Sequence, residues 1–219
     1  MVILVALLQC PDCGNGVSEH AQFCPRCGCP ATHFPKTGAL KVGDTLLFGR
    51  FNGECIKWRV LDIWHNSALI HTCDYICQRP YHGSRGDITW EDCDLRYWLN
   101  REFLRVAFTD GERSRIERVL IGCHDNPKFK TKGGADTTDS VFLLSMNEAL
   151  KYFKSNEDRA CDDDWWLRTP GNHQDCAASV MRKDANFNTH FHYGNSNVDL
   201  AGFDARSSIG VRPALLISQ

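Results

Sequence analysis

Three features of the 219-residue sequence predict an α+β domain behind a small N-terminal cysteine ribbon. The first is a pair of C-x2-C steps, Cys10/Cys13 and Cys24/Cys27, within the first 28 residues. The second is a series of short apolar, β-rich runs separated by turn residues such as Asn52-Gly53 and His65-Asn66-Ser67. The third is Ser/Thr-x-x-Glu spacing at Thr109/Glu112 and Ser145/Glu148, which marks helix starts.

Composition bounds the rest. The apolar share, 42%, suffices for a real core, and the length fits one moderate domain plus an appendage. The net charge of −2 gives no strong field towards nucleic acid or membrane, so neither is an expected partner. Residues 1–8, MVILVALL, are far shorter than the ~20 apolar residues a membrane helix needs. They also lack the basic region and cleavage site of a signal peptide. Eight of the twelve cysteines follow no regular spacing, which fits free thiols in a reducing cytoplasm.

In chain order, residues 1–28 read as a zinc ribbon. C-x2-C-x10-C-x2-C brings four soft ligands to one tetrahedral site, Cys10, Cys13, Cys24 and Cys27. Gly14 and Gly28 follow the knuckles, where the chain must turn beneath a metal. So short a segment cannot bury a core, and Zn²⁺ supplies its folding energy. A redox dithiol and disulfides are the other readings of the spacing. Cys29 and His20 stand close enough to be substitute ligands. Residues 29–40, with two Pro and one Gly, read as a linker to a domain over 41–219.

That domain opens with strands expected at 45–50, 56–63 and 68–72. A helix is expected from Thr89, where TWED approximates a capping box and Leu95, Trp98, Leu99 and Phe103 follow at helical spacing. A second short helix runs from Thr109 to about Arg118. Residues 124–140 form a long polar loop, expected to be mobile or functional. Residues 141–144 read as a buried strand, and a third helix follows Ser145. The acidic run 155–164 could hold Ca²⁺ through carboxylates, although a solvated loop is the plainer reading.

The last quarter changes character. WWLRTPG at 165–171 and GVRPALLI at 210–217 look like buried sheet. Between them NFNTHFHYGNSNVD, residues 186–199, holds four Asn, two His and one Tyr. Alternation puts Asn186, Asn188, His190 and His192 on one face of a strand, with Phe187 and Phe191 behind. Tyr193, Asn195, Asn197 and Asp199 complete the candidate ligand-binding face, and an ordinary solvated hairpin is the bland alternative. Arg168 and Arg212 are expected to hold that face still.

WWLR, a short strand at 177–181, the polar strip and the terminal GVRPAL together resemble an uncharacterised bacterial domain family. That family is similar to the formylglycine-generating-enzyme branch of the C-type lectin fold. It is also used as the variable protein of diversity-generating retroelements, in which a template is copied with errors at adenines. The resemblance covers roughly residues 40–219 and implies a C-type-lectin-like scaffold displaying a diversified surface. One feature of the residues agrees. Lys, Glu, Gln, Met and Trp, which an Asn codon cannot reach by replacing an adenine, are absent from residues 184–218. About five would be expected there from the chain's composition, though strands and turns also avoid some of these types.

No catalytic pattern emerges. The resemblance would place a cysteine pair in the terminal strands, but Cys161 and Cys176 lie before them. No phosphate loop, G-x-S-x-G elbow or H-E-x-x-H occurs. The expected function is therefore binding of a protein or other macromolecule, not catalysis. The alternatives are an enzyme derived from the formylglycine-generating fold and an invariant protein-interaction domain.

Overall fold

The computed structural model describes residues 7–10, 12–18, 21–30, 40–183 and 196–219. In the ribbon, β1 (Leu7–Gln9) pairs antiparallel with β2 (Gly16–Ser18). Gly14 and Gly28 take φ of +69° and +77°, the left-handed turns that the knuckles require. Their N–H groups donate to Cys10 O and Cys24 O, each at 2.8 Å. Cys10, Val17, Cys24 and Cys29 form a small buried cluster of their own.

The main domain is mixed α and β, mostly sheet. Strands β3 (Thr45–Phe51), β4 (Glu54–Trp64) and β5 (Ser67–Thr72) form the expected meander. Asn52 and Gly53 both have positive φ, the turn that matches strand twist in a two-residue hairpin. The C-terminal β13 (Ala214–Ser218) adds beside β5, giving the order β13-β5-β4-β3.

The second sheet gathers β6 (Cys77–Pro80), β9 (Trp165–Pro170), β10 (Cys176–Val180), β11 (Val198–Asp204) and β12 (Ser208–Val211). Its order is β11-β10-β9-β12-β6, with β9 and β12 parallel and the other pairs antiparallel. A small pair, β7 (Val119–Ile121) and β8 (Thr137–Asp139), stands apart. One hydrophobic cluster draws on both large sheets, with Trp58, Ile70, Leu99, Phe103, Trp165 and Trp166 fully buried. Every residue of β9 is buried, so both Trp165 and Trp166 are core.

GVRPAL is the crossover between the sheets. Gly210 and Val211 end β12, and Ala214 begins β13. Pro213 cannot donate to a ladder, so pairing stops there, while its carbonyl accepts from Thr72 N at 3.1 Å.

The helices depart from expectation in instructive ways. The first, α1 (Asp94–Trp98), starts later than Thr89 and is capped by Cys93, whose Sγ accepts from Arg96 N at 3.4 Å. Burial of Trp90, with its indole N–H on Asp139 at 2.9 Å, commits the preceding residues to a turn. A π-helix over Leu99–Phe103 follows, then α2 (Leu104–Ala107). The π turn carries Asn100, which accepts from Ser140 N and Val141 N and donates to Val141 O.

Helix α3 (Asp110–Arg113) has its complete capping box but ends well before Arg118. Beyond it the C-terminal strand captures the backbone: Glu117 N donates to Leu216 O at 2.9 Å. Helix α4 (Met146–Tyr152) has the Ser145/Glu148 box, and α5 (Asn156–Arg159) is capped by Ser155.

Residues 141–144 are buried as expected but form no named strand. Their polar groups go instead to Asn100, to a bridge with Ala214 and to Arg168. The 124–140 segment is held in place. Asn126 is fully buried, donates to Pro170 O, Gly171 O and Leu200 O, and accepts from Lys128 N and Phe129 N. Among the described residues no helix is long and apolar enough to cross a membrane.

Candidate functional site

The ribbon brings its four cysteines to one point. The Sγ atoms of Cys10, Cys13, Cys24 and Cys27 all lie within 4.8 Å of one another. Cys10 and Cys27 are 3.5 Å apart, and Cys13 and Cys24 are 3.6 Å apart. A disulfide needs about 2.05 Å. A tetrahedral ion with Zn–S bonds of about 2.3 Å needs sulfurs about 3.8 Å apart, close to what is seen. The group could hold a metal ion, and it does not include Cys29; His20 lies outside the described residues.

Ionisation within the cluster is uneven. Burial opposes ionisation of Cys24, but the Arg26 and Cys27 N–H groups and neighbouring thiols bring its pKa down to about 7. At Cys27 the Cys29 N–H favours the thiolate, but burial and the other three thiols push its pKa up to about 12. One thiolate therefore resists the next until a cation neutralises them. The ribbon touches the main domain through Asp12, which pairs with Arg50 at 3.0 Å and accepts from Cys55 Sγ at 3.4 Å.

At the other end of the chain, Asn186, Asn188, His190, His192, Tyr193 and Asn195 lie outside the described residues, as do Phe187 and Phe191. The structure describes the frame on either side. Arg168 is buried and reaches Glu148 with both terminal nitrogens, at 2.5 and 2.9 Å, and Leu143 O at 2.7 Å. Burial pushes the Glu148 carboxyl up, but the Arg168 bonds and charge, with the Ser145 N–H, outweigh it and hold the group below its ordinary value. The N3 carboxylate of a capping box thus also anchors β9.

Arg212, at the sheet crossover, is 3% exposed. It donates to Thr72 O, Cys73 O and Arg159 O, and lies over the Trp165 ring at 4.8 Å.

Asn197 needs a correction. It is fully buried and cannot belong to a displayed face. Its Oδ1 accepts from Arg159 Nη1 at 2.6 Å, and its Nδ2 donates to Asn156 O and Met181 O, both at 3.2 Å. Every polar group is satisfied internally, which is what makes a buried Asn tolerable. Asp199 is half-buried on β11, opposite Ser179, and accepts from Ala201 N at 3.0 Å.

Four of the five carboxylates of the acidic run are engaged by other side chains or backbone: Asp158 with Arg59, Asp162 with Lys183, Asp163 with Gln78 and Asp164 with Arg182 N; Glu157 is exposed. Sequence reasoning missed Arg159, which was hidden in that run and is the buried hub of the Asn197 clamp. It also missed His71, a lone imidazole in an otherwise apolar strand.

The comparison with known families fits this division of the chain. A family model described as a domain of unknown function, DUF6273, matches residues 65–219. The chain belongs to the DUF6273 family. The match runs from the β4–β5 turn to the last residue and leaves the ribbon and the β3–β4 hairpin outside it. The DUF6273 segment therefore contains the Arg168 and Arg212 anchors, the Asn197 clamp and the polar strip. No curated protein and no solved structure matches the chain.

Proposed function

We propose that this DUF6273 chain is a binding protein with a C-type-lectin-like scaffold, the variable protein of a diversity-generating retroelement, which displays residues 186–195 to a macromolecular ligand. The observation that carries the reading is the root of that segment. Met181 N donates to Asn197 O at 2.9 Å, so the residues on either side of it are bonded to each other. Arg182 N is tied to Asp164, and Lys183 N to Cys161 O at 3.2 Å. Asn197 is clamped by Arg159 and Asn156. A polar strip that leaves and rejoins one rigid base can change sequence without disturbing the core. The lack of Lys, Glu, Gln, Met and Trp over 184–218 supports adenine-directed change.

Two experiments test it. The DNA around the gene should contain a near-copy of the stretch encoding residues 165–216, beside a reverse transcriptase gene; neither being present would overturn the retroelement reading. Replacing Asn186, Asn188, His190, His192, Tyr193 and Asn195 together should change stability by less than about 0.5 kcal/mol per site. Trp166→Ala should cost roughly 3–5 kcal/mol. Equal destabilisation by both sets in thermal melts would show that the strip is core.

At the ribbon the proposed ion is Zn²⁺, held by Cys10, Cys13, Cys24 and Cys27 as a structural metal.

A further inference from the structure

A cleft of about 250 Å³ opens where β5, α5 and the Arg212 crossover meet. Its walls include Arg59, His71, Thr72, Phe153, Lys183 and Arg212. The metal centre uses none of these groups, and only Arg212 and the Lys183 backbone also belong to the frame of the polar strip.

His71 is 1% exposed and stands against Phe153 and Trp165, each ring at 5.4 Å. Neither of its ring nitrogens makes a well-formed hydrogen bond in the protein, although the Arg212 and Thr72 backbones lie close to the ring. Thr72, also 1% exposed, has an unpartnered hydroxyl. Thr72 follows His71 on the strand and pairs with Trp58, so its hydroxyl faces the other side of the sheet. The imidazole, beside Arg59 in register, is the open group on the cleft side. Buried side-chain polar groups are nearly always bonded, so that imidazole points to a ligand.

The charge is unbalanced in the same direction. Arg212 and Arg159 are 3% and 4% exposed, and among the described residues neither forms an ion pair. Their bonds go to carbonyl and amide oxygens. Four of the five Arg212 N–H groups are engaged by Thr72 O, Cys73 O and Arg159 O, which leaves one on Nη1. The acidic groups of the cleft are poor counterweights. Glu157 is exposed, where water screens it, and Asp158 is engaged by Arg59.

We infer that this cleft binds a small oxyanion, a carboxylate or phosphate group, through the His71 imidazole and the free Arg212 N–H. A neutral imidazole donates from one nitrogen and accepts at the other. The two nitrogens point away from each other, so a small anion meets one of them, and a phosphate or carboxylate oxygen fits the N–H donor. Arg59 and Lys183 add positive charge along the approach. The inference stands whether or not residues 186–195 form a binding face.

The test uses the full chain, titrated with sodium phosphate and sodium lactate against sodium chloride at matched ionic strength. Calorimetry reads binding, and ¹⁵N NMR reads the His71 ring nitrogens. Saturable binding of either anion, with shifts of the His71 nitrogens, is expected. Phosphate alone, lactate alone or both identifies which oxyanion the cleft accepts. His71→Leu should weaken that binding about tenfold or more, in line with the strength of charge-assisted bonds, whereas Thr72→Val, on the other face of the strand, should leave it unchanged. In chloride, His71→Leu should melt no lower than the parent, since it removes two unsatisfied polar atoms. The inference fails if neither anion moves the His71 resonances. It also fails if His71→Leu lowers the melting temperature in chloride, because the imidazole would then be a structural group with its own internal partner.

Discussion

His71 and Arg212 share the same two aromatic neighbours, Phe153 and Trp165. Arginine stays charged, so the imidazole next to it must not be. Burial first, and then the Arg212 charge, hold His71 well below its ordinary value of 6.5. The sign of the consequence is definite. Below about pH 6.5 the unfolded chain takes up a proton that the folded chain refuses, so stability is present above that pH and is lost as pH falls. The slope approaches about 1.4 kcal/mol per pH unit for one proton. Urea unfolding between about pH 7.5 and 5 should show that loss, and His71→Leu should flatten it. An unchanged slope in the variant would mean that other groups carry the acid sensitivity. None of this was legible in the sequence, because Ser67–Thr72 reads as an apolar strand and a single His does not alter the pattern. Asn197 misled for the opposite reason. Asn belongs to exposed turns on average, and only the tertiary position of Arg159 turns this one inward.

Elements whose signals are local were readable. The capping boxes at Thr109/Glu112 and Ser145/Glu148 form as their spacing predicts, since each needs only four consecutive residues. The Asn52-Gly53 hairpin follows from positive φ, which these residues tolerate. Where a distant partner decides, local reading failed. Trp90 displaces the first helix start, and Leu216 ends α3 early by accepting from Glu117 N. The 124–140 segment is the clearest example: it looks like a free polar loop, yet Asn126 fastens it to β9 and β11. Its amide donates to Pro170 O at 2.7 Å and Leu200 O at 3.0 Å. Its Oδ1 caps Lys128 N at 2.9 Å. Asn126→Ala leaves several buried backbone groups unbonded, at about 1–3 kcal/mol for each one that water cannot reach. A loss of about 2–3 kcal/mol by urea unfolding is expected, with faster amide exchange at Lys128 and Phe129. A loss under about 0.5 kcal/mol would show that the segment is held by something other than this side chain.

The described residues form two hydrophobic clusters, one in the ribbon and one in the main domain. The cysteine cluster was readable because its four members lie within eighteen residues, Cys10 to Cys27. The arrangement of the main sheets was not, because it rests on distant pairings such as β13 with β5 and the parallel contact of Gly210 with Trp165. The described link between the two parts is slight. It consists of Asp12 with Arg50, whose side chains are 24% and 44% exposed, and the Cys55 thiol. A pair that exposed is worth about 0–1 kcal/mol. For a domain of this size, 1 kcal/mol moves the melting temperature by roughly 2–4 °C. The described core of the ribbon, by contrast, is only four residues, so a metal bound by its four cysteines would supply most of its folding energy. Purified protein should therefore contain one zinc per chain, and a strong chelator should unfold the ribbon alone. The main transition should shift by no more than that 2–4 °C, and deletion of residues 1–38 should give the same result. Calorimetry of the intact, chelated and truncated chains, beside metal analysis, decides the matter. Metal-free protein with an intact ribbon would remove the zinc. A main transition lowered by much more than about 4 °C would show that the ribbon is an integral part of the DUF6273 domain's core.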